Sequence, residues 1–213
     1  MGVLSLIKMP FKYARYLRRK SIFGAIGFHS SIGKALRITC PQNIYLGDNV
    51  SIAPYAWLAA EPHNTEGYAR LVIKDGCTIG DFSHIYATNE VIIEENVLTA
   101  NFVYISDTNH EYSDINLPIL KQPIRKSKVR IGEGSWLGEH VSVCGASIGK
   151  HCIIGANSVV TKDIPDYCVA VGSPAKIIKR YSFDENKWKK IDSEKDYATY
   201  MGGGSFYYYL LAA

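Results

Sequence analysis

The chain has 213 residues, 47% of them apolar and 21% charged. That is a globular composition, long enough for one domain with a substantial core, and it excludes intrinsic disorder as the organising state. The net charge of +4 is concentrated at the front. Lys8, Lys12, Arg15, Arg18, Arg19 and Lys20 meet no acid in residues 1–20, so the rest of the chain is close to neutral and no nucleic-acid partner is expected.

In the first segment, residues 1–30, Leu4, Ile7, Phe11, Ala14 and Leu17 recur at helical spacing beside these basic residues. This reads as a basic amphipathic helix whose charged side is either solvated or set against an anionic lipid surface. The apolar run Val3 to Ile7 is short and precedes the basic residues, which is the wrong order for a signal peptide. No run reaches the roughly 18 to 20 apolar residues that span a bilayer. The expected location is the cytoplasm, at the inner face of the membrane if residues 1–20 touch lipid.

Residues 31–166 carry an internal repeat. Aliphatic-glycine pairs occur at Ile32-Gly33, Leu46-Gly47, Ile79-Gly80, Ile131-Gly132, Leu137-Gly138, Ile148-Gly149 and Ile154-Gly155. Many fall in a six-residue register, as in Ile73, Ile79, Ile85 or Ile148, Ile154, Val160. A small or β-branched residue follows four positions after each aliphatic: Val50, Ala56, Cys77, Ser83, Val97, Ser135, Val141, Cys152, Ser158. A period of six would carry an apolar marker around an α-helix, and it is not the alternation of one long strand. It fits a short strand and a corner, repeated. Three such units close a triangular coil of about 18 residues, and coils stack as parallel strands about 4.8 Å apart. The expected fold is therefore all-β, a parallel β-helix shaped as a triangular prism. Five cysteines without C-x-x-C spacing argue against disulfides or structural zinc, and Cys77 and Cys152 fall on the inward position as core filler.

The register breaks most widely at two places, beside a small expansion between Ile73 and Ile93 and a one-residue shortfall between Ile131 and Ile148. Roughly nine extra residues enter near 60–70 and roughly 20 between Ile105 and Val129, giving an inserted loop over 106–128. Insertions in a solenoid project from corners and commonly carry function. The final segment, residues 167–213, opens on turn signals at Gly172-Ser-Pro-Ala. A short helix with Lys176, Lys179 and Arg180 on its basic side is expected next, then a mixed tail.

Several motifs carry a family resemblance. They are Gly134-Ser-Trp136-Leu-Gly138, Ala146-Ser-Ile-Gly149, the run from Ile154 through Thr161-Lys162 to Pro165, and Gly172-Ser-Pro174-Ala-Lys-Ile-Ile-Lys179. Upstream stands Ile105-Ser-Asp-Thr-Asn-His110. Together they resemble the hexapeptide-repeat acetyltransferases, in particular the galactoside, maltose and surface-polysaccharide O-acetyltransferase branch. The resemblance covers residues 32–181. It implies a left-handed β-helix and transfer of acetyl from acetyl-CoA, with no metal, to a sugar or glycan hydroxyl. It also implies a homotrimer with donor and acceptor meeting between neighbours.

By the same resemblance His110 is the general base. Neutral imidazole, with a pKa of about 6.5, suits removal of a hydroxyl proton near pH 7. Asn89, or Thr88 beside it, falls near the acceptor-binding asparagine of related enzymes. Asp107 and Glu111 are candidates to orient His110 or the acceptor. Gly138, Glu139 and Ala156 would line the pantetheine arm, although the family often has serine or alanine where Glu139 stands. Trp136 is either a wall of the thioester channel or ordinary corner packing. Thr161, Lys162, Lys176 and Lys179 would meet the adenine and phosphate end. His84, His140 and His151 occupy variable surface positions of their hexapeptides.

Other readings use the same scaffold. Acetylation of an amino sugar, a serine or a xenobiotic needs the same base chemistry. A γ-type carbonic anhydrase needs three zinc-bound histidines, two closely spaced, and no H-x4-H occurs. A non-catalytic solenoid would not need the loop histidine or the Thr-Lys end.

Overall fold

A computed structural model describes residues 21–63 and 67–191. The expected amphipathic helix at 1–20, the middle of the first insertion and the tail from 192 lie outside the described residues.

The chain winds as a left-handed parallel β-helix with three faces. The first face stacks Ala25–Ile26, Ile44–Leu46, Arg70–Ile73, Glu90–Ile93 and Lys128–Ile131. The second begins Ser31–Ile32, Ser51–Ile52, Thr78–Ile79, Leu98–Thr99 and Trp136–Leu137, and continues through Ile153–Ile154 to Cys168–Val171. The third stacks Arg37–Thr39, Trp57–Ala60, His84–Ala87, Tyr104–Ser106, Ser142–Cys144 and Val159–Val160. The first coil already includes Ala25–Ile26, paired with Tyr45 and Leu46, so the prism starts before residue 31.

Register explains the repeat. Leu46 pairs with Ile73, Ile73 with Ile93 and Ile93 with Ile131, and isolated bridges carry the row to Ile148 and Ile164. These aliphatics are almost fully buried, each worth about 1.5–3 kcal/mol relative to exposure. The small residues four positions on, Cys77 and Cys152 included, are also buried and fill the narrow interior. Burial pushes the Cys77 and Cys152 thiols up to about 11 and Cys168 to about 12, as expected of neutral core groups.

Outward positions of the first face form a charge ladder. Glu94, nearly buried, accepts Lys74 at 2.5 Å from the coil before and Arg130 at 2.7 Å from the coil after. Lys128 and Glu90 pair at 3.2 Å. Such pairs align neighbouring coils more than they add net stability.

The short helix expected over Lys176 to Arg180 is a strand instead. Lys176–Ser182 runs antiparallel to Cys168–Val171, and Lys187–Lys190 runs antiparallel to it in turn. Two causes act together. The last coil leaves an open edge of N–H and C=O groups, and the β-branched pair Ile177-Ile178 favours extended backbone. Ile177 packs onto the core and closes the end of the prism. Among the described residues no helix is long and apolar enough to cross a membrane.

Candidate active site

Both insertions leave the prism at one corner, where the third face turns into the first. The larger one rises as an antiparallel hairpin of Thr108–His110 and Ile124–Lys126, with His110 opposite Ile124. Its outer loop is braced by Gln122, whose amide donates to the carbonyls of Asp114 and Leu117, each at 2.9 Å. Ile115 and Leu120 nevertheless stand 93% and 90% exposed.

His110 is exposed and lines a cleft of about 740 Å³ between hairpin and prism. Tyr112 and Lys126 line it from the hairpin; Cys144, Gly145 and Thr161 line it from the prism. Burial pushes the Cys144 thiol up, so Cys144 stands there as a neutral thiol. Gly145 would take a side chain only with strain. Its φ is +70°, and a β-carbon would lie 3.2 Å from the Asn109 amide nitrogen and 3.3 Å from Ser127 Oγ.

The other expected residues divide into groups. Thr161 shares the cleft with His110. Lys162 follows it at the same corner and is exposed. Glu111 turns to Arg125 in the facing strand, 3.8 Å away. Asp107 is buried rather than solvated: it binds the backbone N–H groups of Thr88 and Asn89, both at 2.8 Å. The Asn89 amide donates to Ser127 O at 2.9 Å, so that end of Asn89 ties the exit of the insertion.

Trp136, Gly138, Glu139 and Ala156 lie elsewhere. Trp136 is on the second face, 46% exposed. The other three form the corner between the second and third faces, with Glu139 O accepting Asn157 N–H at 2.8 Å. Lys176 and Lys179 are on the antiparallel extension of the second face. Within one chain, the width of the third face separates His110 from this group.

The outer surface of that third face is not legible in the sequence. Trp57 and His84 stack at 4.0 Å, Arg37 lies over Trp57 at 5.2 Å, and Tyr86 and Tyr104 flank His84. Burial holds His84 low, hence neutral. Trp57 and His84 are separated by the first insertion and look unrelated along the chain, so only the coil register reveals the pair. Tyr112, Lys126 and Cys144 are likewise not legible as cleft residues; Cys144 carries the same outward offset as Ser106 in the coil before.

Residues 128–162 match the family model described as bacterial transferase hexapeptide (six repeats). The chain is 44% identical over 106 residues to "Probable acetyltransferase Rv3034c" of Mycobacterium tuberculosis, covering 49% of this chain and 35% of that protein. It is 38% identical over 132 residues to "Putative lipopolysaccharide biosynthesis O-acetyl transferase WbbJ" of Escherichia coli K12, covering 58% of this chain and 67% of that one. The chain thus spans about a third of the first relative and two thirds of the second. Among solved structures, it shares its fold with a variant of the N-acyltransferase AntD of Bacillus cereus, in complex with dTDP-4-amino-4,6-dideoxyglucose and coenzyme A. The TM-score is 0.67 at 20% identity, over 80% of this chain and 90% of that one. A hexapeptide-repeat acetyltransferase of Vibrio cholerae complexed with acetyl coenzyme A aligns with TM-score 0.54 at 20% identity, over 80% and 78%.

Proposed function

The chain belongs to the hexapeptide-repeat acetyltransferases, and on that premise we propose that it transfers an acetyl group from acetyl-CoA to a hydroxyl of a sugar or surface-polysaccharide precursor. The observation that carries this reading is the cleft that joins His110 to Thr161 under the inserted hairpin. His110 accepts the proton of the acceptor hydroxyl as that oxygen attacks the acetyl carbonyl, then passes it to the leaving sulfur. Cys144, kept as a thiol, does not compete as a nucleophile. Lys162, Lys176 and Lys179 attract the phosphate end as point charges, Thr161 offers a neutral hydroxyl toward the adenine and phosphate end, and Trp136, Gly138, Glu139 and Ala156 line the pantetheine path. Glu111 and Asn89 contribute to the acceptor side.

Trp136, Gly138, Glu139, Ala156, Lys176 and Lys179 lie away from the corner that holds His110 and Thr161, so the complete site forms between copies in a homotrimer. Two apolar surfaces support that assembly. One is the exposed tip of the insertion, Ile115 to Leu120. The other is a ladder at the opposite corner, where Tyr55, Phe82, Phe102 and His140 stack at 4.9, 5.0 and 4.7 Å with their edges in solvent. Residues 1–20 add a peripheral contact with an anionic membrane, on the strength of their composition. The O-acetyl relative named for lipopolysaccharide biosynthesis favours a hydroxyl acceptor.

The test is acetyl-CoA turnover against matched panels of hydroxyl-bearing and amino-bearing sugars, free and nucleotide-linked. Transfer to hydroxyls is expected; transfer confined to amines would replace the O-acetyl reading with N-acetylation.

A further inference from the structure

The neck of the insertion holds a charge that the reaction above does not use. Asp107 is 1% exposed, and among the described residues no lysine or arginine pairs with it. A buried carboxylate is tolerated only when its oxygens are filled by donors. Here they are. Oδ1 accepts the Thr88 N–H at 2.8 Å and the hydroxyls of Thr88 and Thr108, each at 3.1 Å. Oδ2 accepts the Asn89 N–H at 2.8 Å.

The reason lies in the winding. Elsewhere an N–H of one coil finds a carbonyl of the next, as Glu61 N–H finds Ala87 O at 2.9 Å. After Ser106 the chain turns away into the insertion, and the carbonyls due to Thr88 and Asn89 leave with it. The Asp107 side chain supplies acceptors in their place. Its own carbonyl is then taken by Ser127, the last residue of the insertion, through the backbone N–H at 2.8 Å and the hydroxyl at 3.2 Å. Asn89 completes the ring by donating its amide to Ser127 O. Entry and exit of the excursion are thereby fastened to each other and to the coil before. Gly145, in the coil after, closes the space beneath them.

His110 sits three residues beyond this ring, on a two-stranded hairpin of three residues per strand. A lone hairpin of that size is marginal in water, so its pose depends on what holds its base. We infer that Asp107, with Thr88, Asn89 and Ser127, is the positioning residue for His110, acting on acyl transfer through the pose of the hairpin. This rests on His110 being the base of the proposed reaction.

Asp107→Asn tests it, because the amide keeps the shape and offers one oxygen but turns a donor toward one of the N–H groups. Thr88→Val removes the hydroxyl while keeping the backbone N–H, and Thr88→Ser restores it. Roughly 100-fold loss of kcat is expected for Asp107→Asn, with KM for acetyl-CoA within about twofold. A smaller loss is expected for Thr88→Val and near-complete recovery for Thr88→Ser. Amide hydrogen exchange should rise at 108–110 and 124–126 in Asp107→Asn and stay unchanged at 168–171. Val50→Ala, a core change remote from the neck, controls for lost stability and should keep kcat. Wild-type kcat and unchanged hairpin exchange in Asp107→Asn would overturn the inference, as would an equal kcat loss in Val50→Ala. If the wild type turns over no acetyl-CoA, the functional reading fails instead, and the exchange measurement still decides whether Asp107 holds the hairpin.

Discussion

Gly138 and Ala156 stand in successive coils so close that a β-carbon on Gly138 would lie 2.7 Å from the Ala156 backbone nitrogen. No side chain fits there without parting two coils at the second-to-third corner. Gly138→Ala is expected to cost about 1–3 kcal/mol, the range for an overpacked interior. Thermal unfolding checks this; an unchanged Tm would mean the corner yields freely.

Three thiols set an alkaline limit on the fold. Cys77, Cys152 and Cys168 have folded values near 11, 11 and 12, above the 9.0 of an ordinary thiol. The folded state therefore keeps protons that the unfolded state releases, and the sign is loss of stability as pH rises. That stability is fully present below about pH 9 and declines through pH 11, with a limiting slope of about 1.4 kcal/mol per pH for each thiol. Denaturant titrations at pH 8 and pH 10.5 measure the decline, and a triple Cys→Ala variant should flatten it.

The phosphate end of the donor has its own signature. Lys179→Ala is expected to raise KM for acetyl-CoA several-fold and to leave S-acetyl-pantetheine, which lacks the nucleotide phosphates, unaffected. Added salt should raise the wild-type KM in the same direction, because exposed point charges are screened. Equal effects on both donors would remove Lys179 from the phosphate site.

Ile115→Asp and Leu120→Asp place charges on the loop tip, which makes no core contact in one chain. Sedimentation should shift from a trimer to smaller species, while the thermal stability of the prism is retained. A trimer undisturbed by both substitutions would move the interface elsewhere.

Much of the scaffold is legible in the sequence because one geometric constraint repeats. An inward aliphatic recurs wherever a strand must stack, so Ile73, Ile93 and Ile131 announce their pairing despite unequal spacing. The Lys176–Ser182 strand was not legible: its partner is an edge that exists only after the prism has wound. His110 stood out because the segment Ile105-Ser-Asp-Thr-Asn-His110 carries the family resemblance, with imidazole chemistry and an insertion beside it. The burial of Asp107 did not, since an Asp-Thr-Asn run reads as a polar loop until the missing carbonyls of the next coil are seen. Equally, Gly138 and Gly145, close in sequence, stand at the two ends of the third face, one before the strand Ser142–Cys144 and one after it.

Single-turnover transfer of labelled acetyl from acetyl-CoA to a sugar hydroxyl, compared between wild type and His110→Ala, bears most directly on the site proposed here. Loss of roughly 100- to 10,000-fold in the variant, with acetyl-CoA binding retained, is the expected result. A variant that transfers at the wild-type rate would contradict it.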